Sequence, residues 1–331
     1  MPEKQYYHRM SHPIAVFGYK RPELLFKCLQ SLESNDGALE SDVYILIDGP
    51  KTSSEVDLVS QCINVAEKSW RFKSKKVLVS GGNLGLRQSI VQGIDRILKI
   101  HDSIIVIEDD LQLHPKFISF ISSGLDKYKD DAKVASIQGF SLIERESKQS
   151  YFLPSSDSWG WGTWKNRWDL VTWDSSYLLE QIARRRLKNR FNYNNSYNYT
   201  KLLKLNSKGK INSWAIDWQA SLFLGNKFSL YPPFSLVTNT GVGTGATHTY
   251  KGLELIPVLS KKQDWSYPTM VQVNEVIYEE VCNAYSVYFP DQRFSKRFLS
   301  KIKETTRAIN TLLLKVARDI WCTSENKRNL S

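Results

Sequence analysis

Three adjacent carboxylates, Glu108, Asp109 and Asp110, directly follow the apolar run 104–107, which reads Ile-Ile-Val-Ile. A continuous run of β-branched residues is typical of a strand that is buried on both faces of a parallel sheet. Neighbouring carboxylates repel one another unless a cation lies among them. Phosphate ligands bind at the carboxyl ends of such strands, and Mg²⁺ or Mn²⁺ with oxygen ligands often accompanies them. The sequence therefore indicates a site for a divalent metal and a phosphate, with a solvated acidic turn as the alternative.

Polar side chains also follow the other predicted strands of the amino-terminal half. Because the carboxyl ends of parallel strands gather at one edge of a sheet, we expect these side chains to meet the acids there. A nucleotide needs cations for its phosphates, which Arg21 and Arg87 offer, and an acceptor for the N–H group of its base, which Asp48 offers. Asp110 is our first choice as metal ligand, since Mg²⁺ or Mn²⁺ needs only one or two protein carboxylates beside phosphate and water. These side chains lie in the segments Tyr19-Lys20-Arg21, Asp48-Gly49 and Asn83-Leu84-Gly85-Leu86-Arg87. Taken singly, each of these segments is also explained by an ordinary turn or helix cap.

The elements that would position these residues alternate between strand and helix. Apolar runs predict strands, and apolar residues at helical spacing between them predict helices, so the first 110 residues have the pattern β-α-β-α-β-α-β. Such alternation predicts an α/β fold with a doubly wound, Rossmann-like, mainly parallel sheet. The predicted strands are 14–19, 43–47, 76–80 and 104–107, and the predicted helices begin near residues 22, 54 and 86.

The predicted organisation has three parts. Residues 1–135 form the nucleotide-binding half of one domain, and residues 136–290 form its loop-rich second half. Within the second half, the Asn- and Tyr-rich stretch 191–199 predicts a mobile loop. Residues 291–331 form a helical tail with ten Lys and Arg against four Asp and Glu. A basic amphipathic helix can lie on an anionic membrane or simply pack with a solvated face, and both interpretations stay open.

Composition narrows the class of protein. The formal charge of +11 indicates attraction to phosphates. The ten tryptophans offer aromatic surfaces suited to binding sugars. We expect no nucleic-acid partner, because the excess positive charge concentrates in the tail. Cys28, Cys62, Cys282 and Cys322 form no CxxC pair, which favours a reducing compartment. With no apolar signal segment and no stretch long enough to span a membrane, we expect a cytoplasmic protein, soluble or peripherally bound.

One segment resembles a known family. Residues 106–117, Val-Ile-Glu-Asp-Asp-Leu-Gln-Leu-His-Pro-Lys-Phe, resemble the metal-site segment of the GT-A-fold glycosyltransferases. The resemblance is to the N-acetylglucosaminyltransferase I and protein-O-mannose N-acetylglucosaminyltransferase group and to bacterial family-2-like glycosyltransferases, and it extends from about residue 13 to 250. It implies a GT-A fold, an inverting transfer of a sugar from a nucleotide-sugar such as a UDP-sugar, and Mn²⁺ or Mg²⁺ between protein and diphosphate.

The resemblance also implies roles for individual residues. Arg21 and Asp48 match the positions that recognise uridine, while Glu108 and Asp109 match positions near the sugar and ribose. Asp110 matches the metal ligand. The remaining residues expected at the donor are Asn83, Arg87, and Trp159, Gly160 and Gly162 of the glycine-containing loop Ser158–Trp164, which lies beside donor and acceptor in the family.

Asp217 inherits the role of the family's catalytic base. The family has two adjacent acids at this point, whereas this chain has Ile216 before Asp217. Independently of the family, an inverting displacement needs one carboxylate to take the proton of the acceptor hydroxyl. Asp217 lies between Trp214 and Trp218, whose burial of the carboxylate would strengthen it as a base. The alternative is that Asp217 caps the helix that continues from Trp218, and both roles could coexist.

A glycine-rich segment, 239–249, ends with His248 followed by one threonine. Many GT-A enzymes have a histidine after such a loop that contacts the metal or diphosphate. We therefore expect His248 to contact the metal, as a second ligand, or the diphosphate, with an incidental loop residue as the alternative.

Taken together, these features predict a metal-dependent hexosyltransferase or N-acetylhexosaminyltransferase of polysaccharide biosynthesis. Its acceptor would be a glycan or lipid-linked glycan, with residues 136–290 as the acceptor half and the tail at the inner face of a membrane. A nucleotidyltransferase acting on a sugar phosphate is one alternative, although residues 17–22, Phe-Gly-Tyr-Lys-Arg-Pro, lack its glycine-rich signature. A non-catalytic carbohydrate-binding protein is another, but it would leave the acid triplet without a role.

Overall fold

The computed structural model describes residues 12–241 and 259–289, which build a mixed eight-stranded sheet with helices on both faces. The strand order across the sheet is β3-β2-β1-β4-β8-β6-β9-β7. A separate pair, β5 with β10, lies beside it. The strands are β1 (Ile14–Gly18), β2 (Asp42–Ile47), β3 (Ser74–Val79), β4 (Ser103–Glu108), β5 (Leu111–Leu113), β6 (Val134–Gln138), β7 (Tyr151–Leu153), β8 (Trp161–Trp164), β9 (Phe228–Tyr231) and β10 (Val237–Asn239).

The helices connect these strands and cover both faces. Two short 3₁₀ turns, Ala38–Glu40 and Ser53–Glu55, precede β2 and the second helix. The helices are α1 (Pro22–Glu33), α2 (Val56–Glu67), α3 (Leu86–Leu98), α4 (Phe117–Tyr128), α5 (Lys165–Trp168), α6 (Ser175–Arg184), α7 (Lys188–Phe191), α8 (Tyr199–Ser207), α9 (Trp214–Leu224) and α10 (Glu275–Tyr288).

The order of the first four strands creates a crevice at one edge of the sheet. After β1 the chain adds β2 and β3 on one side and then places β4 on the other side, all four in parallel. The connections that leave β1 and β4 therefore diverge, and ligands of open α/β sheets bind at such a switch point. The predicted α/β class with a mainly parallel sheet is confirmed, and β8 is the antiparallel strand that continues the sheet beyond β4.

Side chains that alternate between the two faces of the central strands explain why helices cover the sheet on both faces. In β1, Ile14 and Val16 belong to the core under α1, α2 and α4, while Ala15 and Phe17 belong to the core under α3 and α9. Because successive strand side chains point to opposite faces, an unbroken apolar strand requires a helix layer on each side. The β-branched runs in the sequence are therefore strands that helices cover on both faces.

Tryptophans form the centre of the second core. Trp161 of β8 stacks on Trp168 and on Trp214, with ring centroids 5.9 and 5.5 Å apart, and lies 5.4 Å from the ring of Trp218. Trp161 and Trp218 are fully buried. Since Trp161 is also paired with Val106 of β4, this cluster fixes the start of α9 close to the strand that carries the acids.

The stretch 191–199 is packed, contrary to the predicted mobile loop. Tyr193 is buried and stacks on Tyr278 of α10, with ring centroids 5.3 Å apart. Tyr193, Asn194 and Asn195 have φ values of 49°, 52° and 68°, in the left-handed region that asparagine tolerates better than most residues. Asn194 and Asn195 thus form a tight turn, and Tyr193 packs in the core.

The chain divides into two units, Met1–Phe289 and Pro290–Ser331. The second unit contains the predicted tail, residues 291–331, and lies outside the described residues. The predicted boundaries at 135 and 290 stay predictions. Within residues 12–241 and 259–289, the helices are too short or too polar to cross a membrane.

Candidate functional site

Arg21 and the acid triplet meet at the switch point between β1 and β4. The Arg21 Nη1 donates to Asp110 Oδ2 at 3.0 Å, and its Nη2 donates to Asp109 Oδ1. The backbone N–H of Tyr19 also donates to Asp109, at 3.3 Å. Pro22 begins α1 immediately after Arg21, so the turn from strand to helix holds the guanidinium over the end of the neighbouring strand. The predicted grouping of these side chains at one sheet edge is thus found.

The triplet carries more negative charge than Arg21 can balance. Burial, and then the charges of Asp110 and Asp109, raise the pKa of Glu108 to about 8. Burial also raises the pKa of Asp109 to about 6, although the Arg21 guanidinium opposes the shift. A cation placed here would relieve this repulsion, and carboxylate oxygens are the ligands that Mg²⁺ and Mn²⁺ prefer. The donor set therefore fits a hard divalent metal.

Asp110 is the member of the triplet best placed to bind such a metal. Its side chain is 16% exposed, whereas that of Asp109 is 3% exposed. The backbone N–H of Thr240 donates to the carbonyl of Asp110 at 2.8 Å, which brings the start of the glycine-rich segment to the acids. A Cβ on Gly241 would lie 2.6 Å from the Asp110 Cβ, so only glycine allows this approach. His248 lies outside the described residues. Within residues 12–241 and 259–289, no three His, Cys, Asp or Glu side chains are arranged so that they could hold a metal ion together.

Asp157 is a fourth acid at this edge that the sequence reasoning missed. Its Oδ1 accepts from the backbone N–H groups of Ser158 and Trp159, at 2.7 and 3.1 Å. Burial raises its pKa, and its charge in turn contributes to the raised pKa of Glu108. The signal was its place directly before the predicted loop Ser158–Trp164, where an Asp followed by Ser is a common turn start.

The loop Ser158–Trp164 carries three residues that were predicted to bind the sugar donor, and they lie in two different environments. Trp159 is partly exposed and packs edge-on against Phe140 with ring centroids 4.8 Å apart. Gly160, with a φ of 64°, accepts a backbone hydrogen bond from Gly139. Gly162 lies inside β8, where a Cβ would approach a methyl carbon of Ile121 to 2.6 Å. Packing against α4 thus accounts for Gly162, while Trp159 and Gly160 directly precede β8 and follow Asp157 in the chain.

Asp48 organises the loop that follows β3. Its Oδ1 accepts from the N–H groups of Gly49 and Leu84, at 2.9 and 2.8 Å. Its Oδ2 accepts from Asn83 Nδ2 at 3.2 Å and from the N–H of Gly85 at 2.9 Å. Asp48 is 4% exposed. The predicted partners Asp48 and Asn83 are therefore brought together, but these four donors engage the carboxylate that was expected to accept from a nucleotide base.

We expect Asp48→Ala to lower the free energy of unfolding by about 3 kcal/mol, because it removes four hydrogen bonds to one buried carboxylate. Denaturant unfolding of the purified variant measures this. Asn83→Ala, which removes only one donor of the network, is the matched control and should cost about 1 kcal/mol. If both variants unfold at the denaturant concentration of the wild type, the carboxylate does not hold this loop.

Arg87 and Asp217 form a second charged pair, on the other side of that loop. The Arg87 Nη2 donates to Asp217 Oδ2 at 2.7 Å, and its Nη1 donates to the carbonyl of Ser213 at 2.7 Å. Asp217 Oδ1 accepts from Ser175 Oγ at 2.5 Å and from Asn206 Nδ2 at 3.2 Å. Asp217 is fully buried. Arg87 is thus paired with the predicted base, and its hydrogen bonds within the described residues go to this network and not to the acid triplet.

Asp217 does not cap its helix. Ser213 is the N-cap of α9, and its hydroxyl accepts from the N–H of Ile216, so the capping alternative for Asp217 is wrong. A cavity of about 530 Å³ adjoins the network, and Arg87, Ser175 and Asn206 are in its wall. These three side chains separate the Asp217 carboxylate from the cavity. The structure therefore brings the predicted base to the edge of an open space, one hydrogen bond behind its surface.

Comparisons with known proteins give matches among solved structures alone. No protein-family model and no curated protein matches the chain. TarS 1–349 of S. aureus is 12% identical, with a TM-score of 0.40, and the match covers 70% of this chain and 61% of that one. The mannosyltransferase PcManGT of Pyrobaculum calidifontis, solved with GDP-Man and Mn²⁺, is 9% identical, with a TM-score of 0.35 and coverages of 67% and 73%. A UDP-glucose pyrophosphorylase with UDP-glucose is 14% identical, with a TM-score of 0.29 and coverages of 49% and 79%.

The match to another TarS structure covers 42% of this chain and 22% of that one, so this chain spans less than a quarter of that protein's length. The solved structures that this chain resembles thus include a mannosyltransferase, which is of the class that the sequence resemblance named, and a UDP-glucose pyrophosphorylase. At these identities and TM-scores, the likeness carries no argument about activity, donor, acceptor or the roles of residues.

Proposed function

We propose that this chain is a metal-dependent, inverting glycosyltransferase that moves a sugar from a UDP-sugar to a hydroxyl of a glycan or lipid-linked glycan. The observation that carries the proposal is the meeting of Arg21 with Asp109 and Asp110 at the switch point between β1 and β4. A cation and an excess of carboxylates at this position suit a diphosphate held together with a divalent metal. The transferred sugar would be a hexose or an N-acetylhexosamine.

In this proposal the donor lies over the carboxyl ends of β1, β2 and β4. Arg21 contacts the nucleotide, Glu108 and Asp109 face the sugar and ribose, and Trp159 and Gly160 border the sugar. Asp110, with His248, would hold Mn²⁺ or Mg²⁺. The bound metal would neutralise the charge that develops on the departing diphosphate.

Asp217 is the proposed general base. The acceptor oxygen forms a bond to the anomeric carbon while the bond from that carbon to the diphosphate oxygen breaks, and the electron pair leaves with the diphosphate. The proton of the acceptor hydroxyl ends on the Asp217 carboxylate. Because Asp217 is fully buried, the Ser175 hydroxyl would relay the proton: it takes the proton of the acceptor hydroxyl and gives its own to the Asp217 carboxylate, to which it already donates.

Product analysis tests this function. The full chain is incubated with Mn²⁺ and a panel of UDP- and GDP-sugars, with membrane and glycan extracts as acceptors. We expect release of the nucleoside diphosphate and a product of inverted anomeric configuration. Release of pyrophosphate from UTP and a sugar phosphate would instead identify a nucleotidyltransferase. Sugar binding without any nucleotide binding would identify a carbohydrate-binding protein.

We also propose that the basic tail, residues 291–331, holds the enzyme at the cytoplasmic face of a membrane. Its ten basic residues against four acidic ones suit anionic headgroups. The full chain should sediment with vesicles that contain phosphatidylglycerol, and a chain that ends at residue 290 should remain in the supernatant. Equal sedimentation of the two chains would contradict the proposal.

A further inference from the structure

The folded domain carries a local excess of positive charge around α8. Residues 181–216 contain nine Lys and Arg and no Asp or Glu, against ten and four in the tail. The nine residues are Arg184, Arg185, Arg186, Lys188, Arg190, Lys201, Lys204, Lys208 and Lys210. The positive charge that the sequence reasoning placed in the tail therefore also marks a part of the domain.

Three of these lysines form one exposed surface, which we call the lysine face. Lys201 and Lys204 lie on α8, and Lys208 directly follows its last residue. Spacings of three and four residues put them on one side of a helix with 3.6 residues per turn, and all three are exposed. Leu205 is partly exposed on the same side, whereas Leu203 is fully buried in the core with α6 and α9. Packing thus holds α8 so that the lysine face points away from the core.

Within the described residues, acids do not neutralise the lysine face. Its three lysines and the exposed Lys210 take part in no ion pair there. Arg190, by contrast, donates to both carboxylate oxygens of Glu275, at 2.8 and 2.7 Å. Like charges at neighbouring positions of a helix repel one another. An anionic partner would relieve this repulsion.

The side chains around the lysine face distinguish between two anionic partners. Lysine carries a compact charge on a flexible apolar stem, so it can reach lipid phosphates while its stem stays on an apolar surface. Leu205, among the lysines, offers the apolar contact that interfacial helices make below the headgroups. Sites for single-stranded nucleic acid instead stack bases on aromatic rings, and residues 201–210 contain none. The lysine face therefore fits an anionic lipid surface.

The lysine face also borders the open cavity near Asp217. Ser207 and Gly209 lie in the cavity wall, and the exposed Lys208 and Lys210 alternate with them along the chain. We propose that the lysine face docks the domain on an anionic membrane and so brings this cavity beside the lipid headgroups. This surface belongs to the folded domain and is separate from the tail, although the docking rests on the membrane contact proposed for the tail. Each lysine near an anionic surface strengthens binding about fivefold, so three lysines orient the domain but hold it only weakly without the tail.

Lysine acetylation of the full chain maps this contact. The chain is mixed with vesicles of phosphatidylglycerol and phosphatidylcholine, with vesicles of phosphatidylcholine alone, or with a single-stranded RNA, and is acetylated briefly before mass spectrometry. We expect the anionic vesicles to protect the lysine face. The control lysines are the exposed Lys27, Lys127 and Lys129 on α1 and at the end of α4, in the helix layer opposite α9. They should react equally in all three samples.

Replacement of the lysines measures how much the face contributes. Lys201→Gln, Lys204→Gln and Lys208→Gln together should lower the partition of the full chain onto anionic vesicles about a hundredfold, at about fivefold for each lysine. Glutamine at the three control lysines removes the same charge and should lower partition by less than about threefold, because charges far from the surface are screened. Binding of UDP with Mn²⁺ should be the same in wild type and both variants.

Equal losses of partition in the two variants, or acetylation of the lysine face that is unchanged on anionic vesicles, would overturn this docking. Stronger protection by the RNA than by the vesicles would assign the face to nucleic acid and overturn the docking as well. If wild type does not bind anionic vesicles, both the docking and the membrane role of the tail fail. Failure of wild type to bind UDP with Mn²⁺ would instead overturn the proposed transfer reaction.

Discussion

Replacing Arg21 with alanine should lower the free energy of unfolding by about 3 kcal/mol near pH 8, because it leaves the buried Asp109 carboxylate without its cation. The effect should shrink as the pH falls. The folded pKa of Asp109, about 6, lies above its ordinary value of 3.8, so stability decreases as the pH rises through this interval and the carboxyl ionises. Without Arg21 that pKa rises further, and the loss of stability continues to higher pH.

Denaturant unfolding at several pH values measures this difference. Near pH 5, where Asp109 already holds its proton in the folded wild type, Arg21→Ala and wild type should differ by about 1 kcal/mol or less. Arg21→Lys, which keeps a positive charge but loses the two-pronged contact, is the control and should lie between them. A loss of stability that is the same at every pH would show that Arg21 acts through packing and not through the charge of the acids.

Asp217→Asn should reduce turnover by about 10²–10⁴-fold, which is the range for loss of a general base. Donor binding should persist, because the Asp217 contacts lie on the cavity side and not among the acid triplet. Release of the nucleoside diphosphate from the donor, measured beside calorimetric binding of UDP, separates the two effects.

Asp169→Asn is a suitable control for that substitution, since Asp169 is an exposed acid paired with Lys165 within one turn of chain. It should keep both turnover and donor binding. Turnover by Asp217→Asn within a factor of about three of wild type would remove Asp217 from the mechanism, because loss of a base costs far more. In that case the Arg87–Asp217 pair would be a structural ion pair that anchors α9.

The parallel half of the sheet was predictable because its signals are local. The run 104–107 lies within β4, and the predicted strand 43–47 differs from β2 by one residue at its start. The meeting of Arg21 with the acids follows from the same signals, since parallel strands bring their carboxyl ends to one edge whatever the details of the loops.

Contacts that depend on distant pairing could not be predicted in the same way. β8 enters the sheet between β4 and β6 as an antiparallel strand, and nothing in residues 161–164 states which strands it joins. The partner of Arg87 is 130 positions away, so its engagement by Asp217 could not be read from the turn 83–87. Likewise, Tyr193 becomes a core residue only because α10 returns to cover it.

Calorimetric titration of UDP into the full chain, with and without Mn²⁺, tests the central claim most directly. The claim is that Asp110, beside Arg21 at the switch point, binds the metal that holds the diphosphate. Wild type should bind UDP much more tightly with Mn²⁺ than without it, and Asp110→Ala should lose that difference while remaining folded. Mn²⁺-dependent UDP binding that is unchanged in Asp110→Ala, or wild type that binds no UDP with Mn²⁺, would contradict the account.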